Sequence, residues 1–127
     1  LSETGWRFDR QRCLASLLRT EPPTDAFGLA LCCACLNLLG SSEEVATQRI
    51  AANLYELLRA QRTDGSWPAR PMLRLTDTSC AKPWTVPGSG KLFADGRSLF
   101  TTATVLRCLV PILATQIPDF TGNSVSS

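Results

Sequence analysis

The sequence predicts an all-α protein, a stack of helical hairpins interrupted by one long loop insertion. Three observations point there. Four segments carry apolar residues at helical spacing. Taken in order, they alternate between amphipathic and wholly apolar. The third closes on Gln61-Arg62-Thr63-Asp64-Gly65-Ser66-Trp67, a helix stop in which Gly65 can take a left-handed backbone and free Trp67 to fold back. Gln61 then lies within reach of nearby backbone and of the indole face.

The first helix spans about Asp9 to Thr20, capped by Asp9 and ended by Pro22 and Pro23. Cys13, Leu14, Leu17 and Leu18 form its apolar stripe, and Arg10, Arg12 and Arg19 face water. The second runs from about Asp25 to Leu39 and is stopped by Gly40. Phe27, Leu29, Leu31, Cys33, Leu36, Leu38 and Leu39 leave it no polar face, so it is expected to be surrounded by protein.

The third helix starts at Ser41, with Glu44 completing a capping box. Val45, Ile50, Leu54, Leu57 and Leu58 are its apolar stripe, and Arg49, Glu56, Arg59 and Arg62 face water. The fourth runs from about Ser98 to Ala114 with Arg107 as its single charge, and Pro111 is expected to kink it or end its regular part. This helix is also expected to be mostly enclosed.

An internal repeat runs through the chain. Leu14-Leu17-Leu18-Arg19 recurs as Leu54-Leu57-Leu58-Arg59, 40 positions on, and Cys35-Leu36 recurs as Cys108-Leu109, 73 positions on. The difference measures the insertion, where Pro68, Pro71, Pro83, Pro87, Gly88 and Gly90 exclude a long helix and Met72–Thr76 reads as a short strand. The 127 residues thus form one domain, with a first hairpin over 8–40, a second over 41–116 containing the insertion 66–97, and a tail over 117–127.

Composition excludes several functions. A net charge of +2 with scattered arginines gives no nucleic-acid footprint. Histidine is absent, which removes the commonest general base and zinc ligand. Five of the six cysteines fall in helical segments, as buried thiols in a reducing compartment such as the cytoplasm would. Cys32 and Cys35 can share a helix face, but no second pair completes a zinc site, so neither metal nor cofactor is expected. The longest charge-free apolar run, Ala26 to Leu39, falls short of the ~20 residues of a membrane span, although peripheral contact stays open. The stretch from Leu1 to Trp6 does not read as a signal peptide, and a start at Leu1 suggests a piece of a longer protein.

Gln61-x-x-x-Gly65-x-Trp67, followed by the apolar helix Leu99–Leu109, resembles the repeat motif of the terpenoid cyclase and prenyltransferase superfamily over roughly residues 43 to 114. The resemblance implies an α/α toroid, a ring of hairpins around an apolar cavity, of which two hairpins are an incomplete part. It implies an isoprenoid or similar apolar ligand and, for the enzymes, cyclisation or isomerisation of polyprenyl substrates. The acid of the class II cyclases lies just before a Thr-Ala pair. Here Thr102-Ala103 matches that pair, but Phe100 and Thr101 stand where carboxylates are expected.

The candidate site residues lie in and just after the insertion. Asp77 and Asp95 are candidate proton donors, with a carboxyl raised by desolvation beside Trp84 as the expected device. Cys80, Trp84, Arg97, Phe100 and Thr101 are the candidate ligand contacts. The structural reading of the same residues is the favoured one, with Asp77 capping a turn, Asp95 capping the fourth helix, Arg97 pairing with one of them, and threonine hydroxyls bonding the preceding helical turn. Two hairpins leave the sides of both apolar helices bare, so the rest of a toroid or another subunit is the expected partner. The alternative function is a non-catalytic helical-repeat module that binds protein.

Overall fold

The computed structural model describes residues 8–40, 42–82 and 85–116. Its elements run α1 (Arg10–Arg19), α2 (Ala26–Gly40), α3 (Glu44–Ala60), β1 (Pro71–Leu75), β2 (Lys91–Ala94) and α4 (Leu99–Gln116). The fold is mainly helical, with each helix where its periodicity places it. The all-α expectation holds in outline, with a small two-stranded sheet as its one addition among the described residues. Within the insertion β1 and β2 pair antiparallel, with Leu73 opposite Phe93, Arg74 opposite Leu92 and Leu75 opposite Lys91. Only the first strand was foreseen, because β2 is four residues long and too short for alternation to register.

Helix α2 is the hub, with α1, α3 and α4 all packed on it. Its buried line is Ala26, Leu29, Ala30, Cys33, Leu36 and Gly40. Gly40 sits where three helices converge, and a Cβ there would stand 2.9 Å from both the Ala46 methyl and a Leu14 methyl. Asp25 caps the helix start, its carboxylate accepting the Gly28 amide at 2.9 Å. Full enclosure of α2 is not observed: Leu31 and Leu38 are 40% and 76% exposed. With three partners spread over part of its circumference, one side of α2 is left without a neighbour among the described residues.

Two arginines tie helix ends together. Arg10 of α1 donates to the Leu38 and Leu39 carbonyls at the end of α2. Arg49 of α3 donates to the Leu18 and Thr20 carbonyls at the end of α1, at 3.1 and 3.2 Å. Arg49 therefore does not simply face water. It supplies donors and positive charge to carbonyls that have no helical partner. Asp9 caps α1 as expected, accepting the Arg12 amide at 3.0 Å.

Helix α3 begins at Glu44 with Glu43 as its N-cap and no side-chain cap bond; Ser41, on which the expected capping box rests, lies outside the described residues. Its buried line is Ala46, Ile50, Asn53 and Leu57, while Val45 and Leu58 are 58% and 64% exposed. The expected stripe is thus rotated, because small Ala46 is the residue that fits against Gly40. Helix α4 buries Thr101, Val105, Cys108, Leu109 and Ile112 and runs through Pro111 to Gln116. Pro111 does not end it. The proline and Arg107, whose carbonyl loses its helical partner, both lie on the exposed side, where the loss costs least. Leu99, Phe100, Leu106 and Val110 are also exposed, so α4 is half bare rather than enclosed.

Candidate functional site

The Gln61–Trp67 segment locks α3 to α4. Helix α3 ends at Gln61, whose backbone is extended at φ −64° and ψ 131°, so Gly65 does not itself end the helix as expected. It instead makes the following turn at φ 88°. The Gln61 amide donates to the Gly65 carbonyl at 2.9 Å, and the Arg62 amide donates to the Ser66 carbonyl at 2.8 Å. Asp64 accepts from the amide and hydroxyl of Ser66, at 2.9 and 2.7 Å, and these bonds hold its carboxyl below the usual range. Trp67 is 2% exposed. Its indole N–H donates to the Leu57 carbonyl of α3 at 2.7 Å, and its backbone N–H donates to the Thr102 hydroxyl of α4 at 3.1 Å.

The two candidate acids are engaged as caps. Asp95 accepts the Leu99 amide at 3.2 Å and the Thr101 amide at 2.8 Å, while its carbonyl accepts the Ser98 amide at 2.9 Å. Ser98, at φ 55°, is buried, and its hydroxyl accepts from Arg62 at 3.4 Å. Asp77 accepts the Ser79 amide at 3.1 Å. Bonds from Ser79 hold the Asp77 carboxyl below its ordinary value, the reverse of the raised acid expected there.

Asp77 and Asp95 also belong to opposite ends of the β-hairpin. Asp77 follows the Leu75–Lys91 pair, and Asp95 follows Ala94, which is paired with Pro71. Four strand steps of ~3.3 Å put roughly 13 Å between those ends, too far for the carboxyls to act on one small group. Cys80 is half-buried in the turn region beside Asp77, Arg97 is exposed just before α4, and Trp84 lies outside the described residues. Thr101 is buried at 1% exposure, its hydroxyl without a hydrogen-bond partner among the described residues. Neither it nor Thr102 spends its hydroxyl on the preceding helical turn: Thr102 accepts from Trp67.

What the fold does bring together is a groove between α2 and α4. Phe27 and Phe100 stack at one end, ring centroids 5.7 Å apart and planes 28° apart. A cleft of about 290 Å³ is lined by Leu31, Ala34 and Leu38 of α2 and by Thr104, Cys108 and Pro111 of α4, with Asn37 and Arg107 as its polar members. Phe27 and Phe100 are 73 positions apart, as are Leu38 and Pro111, the same offset as the sequence repeat. The two helices therefore run side by side in the same direction, with equivalent residues at the same level.

Arg107 is the one charge on the lining. Burial, reinforced by nearby Cys35, raises the Cys108 thiol. Burial and the adjacent Cys32 push the Cys33 thiol up to about 12. Neither is a thiolate near neutrality, so neither is a ready nucleophile or metal ligand. Among the described residues no group of three or more His, Cys, Asp or Glu side chains is placed to hold a metal ion, and no helix is long and apolar enough to cross a membrane.

Phe27, Leu38 and Arg107 were not among the sequence candidates. Reading across the 73-residue offset from Phe100 would have found Phe27. No protein-family model matches the chain, and no curated protein matches it.

Proposed function

We propose that α2 and α4 hold an isoprenoid or similarly apolar ligand in the groove between them, as part of a terpenoid-cyclase-like helical wall that further helices complete. The observation that carries this reading is the groove itself: mostly apolar, lined from both α2 and α4, and set between two helices related by the chain's own repeat, which also stack Phe27 on Phe100. The open sides of Leu31, Leu38, Leu106 and Val110 support further helices from the same protein or another subunit as its completion. The six free thiols suit a reducing, cytoplasmic setting.

Catalysis is not part of the proposal for these residues. Asp77 and Asp95 serve as caps, and a cyclase acid would have to come from elsewhere in the assembled wall. A second reading, a helical-repeat module that binds protein, is favoured by one feature: the groove is open along its length rather than an enclosed chamber.

The test is displacement of a fluorescent apolar dye by farnesol, compared between the wild type and Leu38→Arg. Leu38 is 76% exposed, so the change spares the core. The ligand reading expects farnesol to displace dye from the wild type and at least tenfold weaker competition in the variant. Equal competition in both sinks it. Incubation with polyprenyl diphosphates and analysis for cyclised products reports separately on catalysis.

A further inference from the structure

Helix α2 carries a pair of thiols that the α2–α4 groove does not use. A separate cleft of about 320 Å³ lies between α1 and α2, and both Cys32 and Cys35 line it, with Leu17, Pro23 and Leu31 beside them. Residues three apart on a helix are surface neighbours with Cβ atoms ~5–6 Å apart, so two sulfurs on such stems can reach one atom set between them. Neither thiol is tied up in a disulfide. Cys32 is half-buried and Cys35 is exposed, so the pair is open to a solute from water.

The surroundings restrict what such a pair can take. Cys33, between them in sequence, faces the other way and is fully buried against α3, beside Asn53 and the Ile50 carbonyl. The chain has no histidine. Among the described residues, which include all six cysteines, no group of three or more His, Cys, Asp or Glu is placed to hold a metal ion. Structural zinc is almost always four-coordinate, so two thiols alone do not make a zinc site. A soft monovalent ion differs. Thiolates select Cu(I), and its filled d shell accepts linear coordination by a single pair of them. No lysine or arginine lines the cleft, and Glu21 adds a carboxylate, so no charge there repels a cation.

We propose that Cys32 and Cys35 bind one Cu(I) ion between them as a two-coordinate bis-thiolate. Binding replaces both S–H bonds by S–Cu bonds and releases both protons, with no change of oxidation state. The complex carries one net negative charge, and the exposure of Cys35 keeps that charge hydrated. This site is separate from the α2–α4 groove and does not depend on the function proposed for it.

The test titrates the reduced full chain with Cu(I), without oxygen, against the chromogenic chelator bicinchoninate, and reads the neighbours of the metal by X-ray absorption. One Cu(I) per chain with two sulfur neighbours is expected. Release of both protons makes the apparent affinity rise ~100-fold per pH unit near neutrality. Cys35→Ser changes an exposed position and leaves the core intact. It is expected to weaken Cu(I) binding at least a hundredfold, as is Cys32→Ser. Cys80→Ser, in the insertion, is expected to bind as the wild type does. Zn(II) at the same concentration is expected to displace none of the copper. Undiminished binding by Cys35→Ser overturns the proposal, as does an equal loss in Cys80→Ser. A third sulfur neighbour, or displacement of the copper by Zn(II), overturns the assignment to a two-coordinate ion.

Discussion

Replacing Trp67 by phenylalanine isolates what the indole contributes. The Leu57 carbonyl is among the last of α3, where helical donors run out, and Leu57 is fully buried, so water cannot substitute for the indole N–H that reaches it at 2.7 Å. Phenylalanine leaves that acceptor unpaired, a loss of about 1–3 kcal/mol. It also removes about 40 Å³ of side chain from a site only 2% exposed, and at ~24 cal/mol per Å³ of cavity this adds roughly 1 kcal/mol. The expected destabilisation is therefore about 2–4 kcal/mol.

With an unfolding entropy of ~2.1 cal/mol/K per residue, 127 residues give a slope of roughly 4 °C per kcal/mol, so Tm falls by roughly 8–15 °C. Gln61→Ala is the internal control. Its bond to the Gly65 carbonyl is exposed, and its loss costs only about 0.5–1 kcal/mol. Thermal and urea unfolding followed by far-UV circular dichroism measures both variants. If Trp67→Phe costs less than about 1 kcal/mol, or if Gln61→Ala costs as much as Trp67→Phe, the indole is not the pin between α3 and α4 and the reasoning fails.

Asp95→Ala should lower stability by about 1 kcal/mol, since it strips the carboxylate acceptor from the Leu99 and Thr101 amides at the start of α4; no change in Tm would contradict the capping role. Cys33 predicts an alkaline limb. Its thiol keeps its proton up to about 12 in the folded protein against 9.0 unfolded, so between those values the native state holds more protons than the unfolded state. Stability is full below pH 9.0 and is lost as pH rises toward about 12. Cys33→Ala should flatten Tm against pH over that window, and an unchanged slope would rule out Cys33 as its source.

The two caps also explain why catalysis was hard to read from residue types. An aspartate before a helix looks the same in sequence whether it gives a proton away or accepts amides. Asp95 and Asp77 are settled as acceptors only by the backbone N–H groups that the chain turns toward them. Arg49 makes the same point for charge. Its position in the helix period puts it toward water, but the end of α1 comes within its reach only when α1 and α3 both pack on α2.

Local pattern alone determined the four helices, the Asp9 cap, the Gln61–Trp67 stop with its buried indole, and the 73-residue repeat that sets α2 beside α4. These depend on short-range hydrogen bonding and on apolar spacing, which a chain carries in its own order. Tertiary structure decided which apolar faces are covered. Leu38 and Leu36 are alike as residues, yet one is 76% exposed and the other fully buried, because only neighbouring helices define an inside. It also decided that Ala46 rather than Val45 faces Gly40 and that the insertion pairs as a hairpin. Each of those depends on contacts between residues distant in the chain, which helical periodicity does not encode.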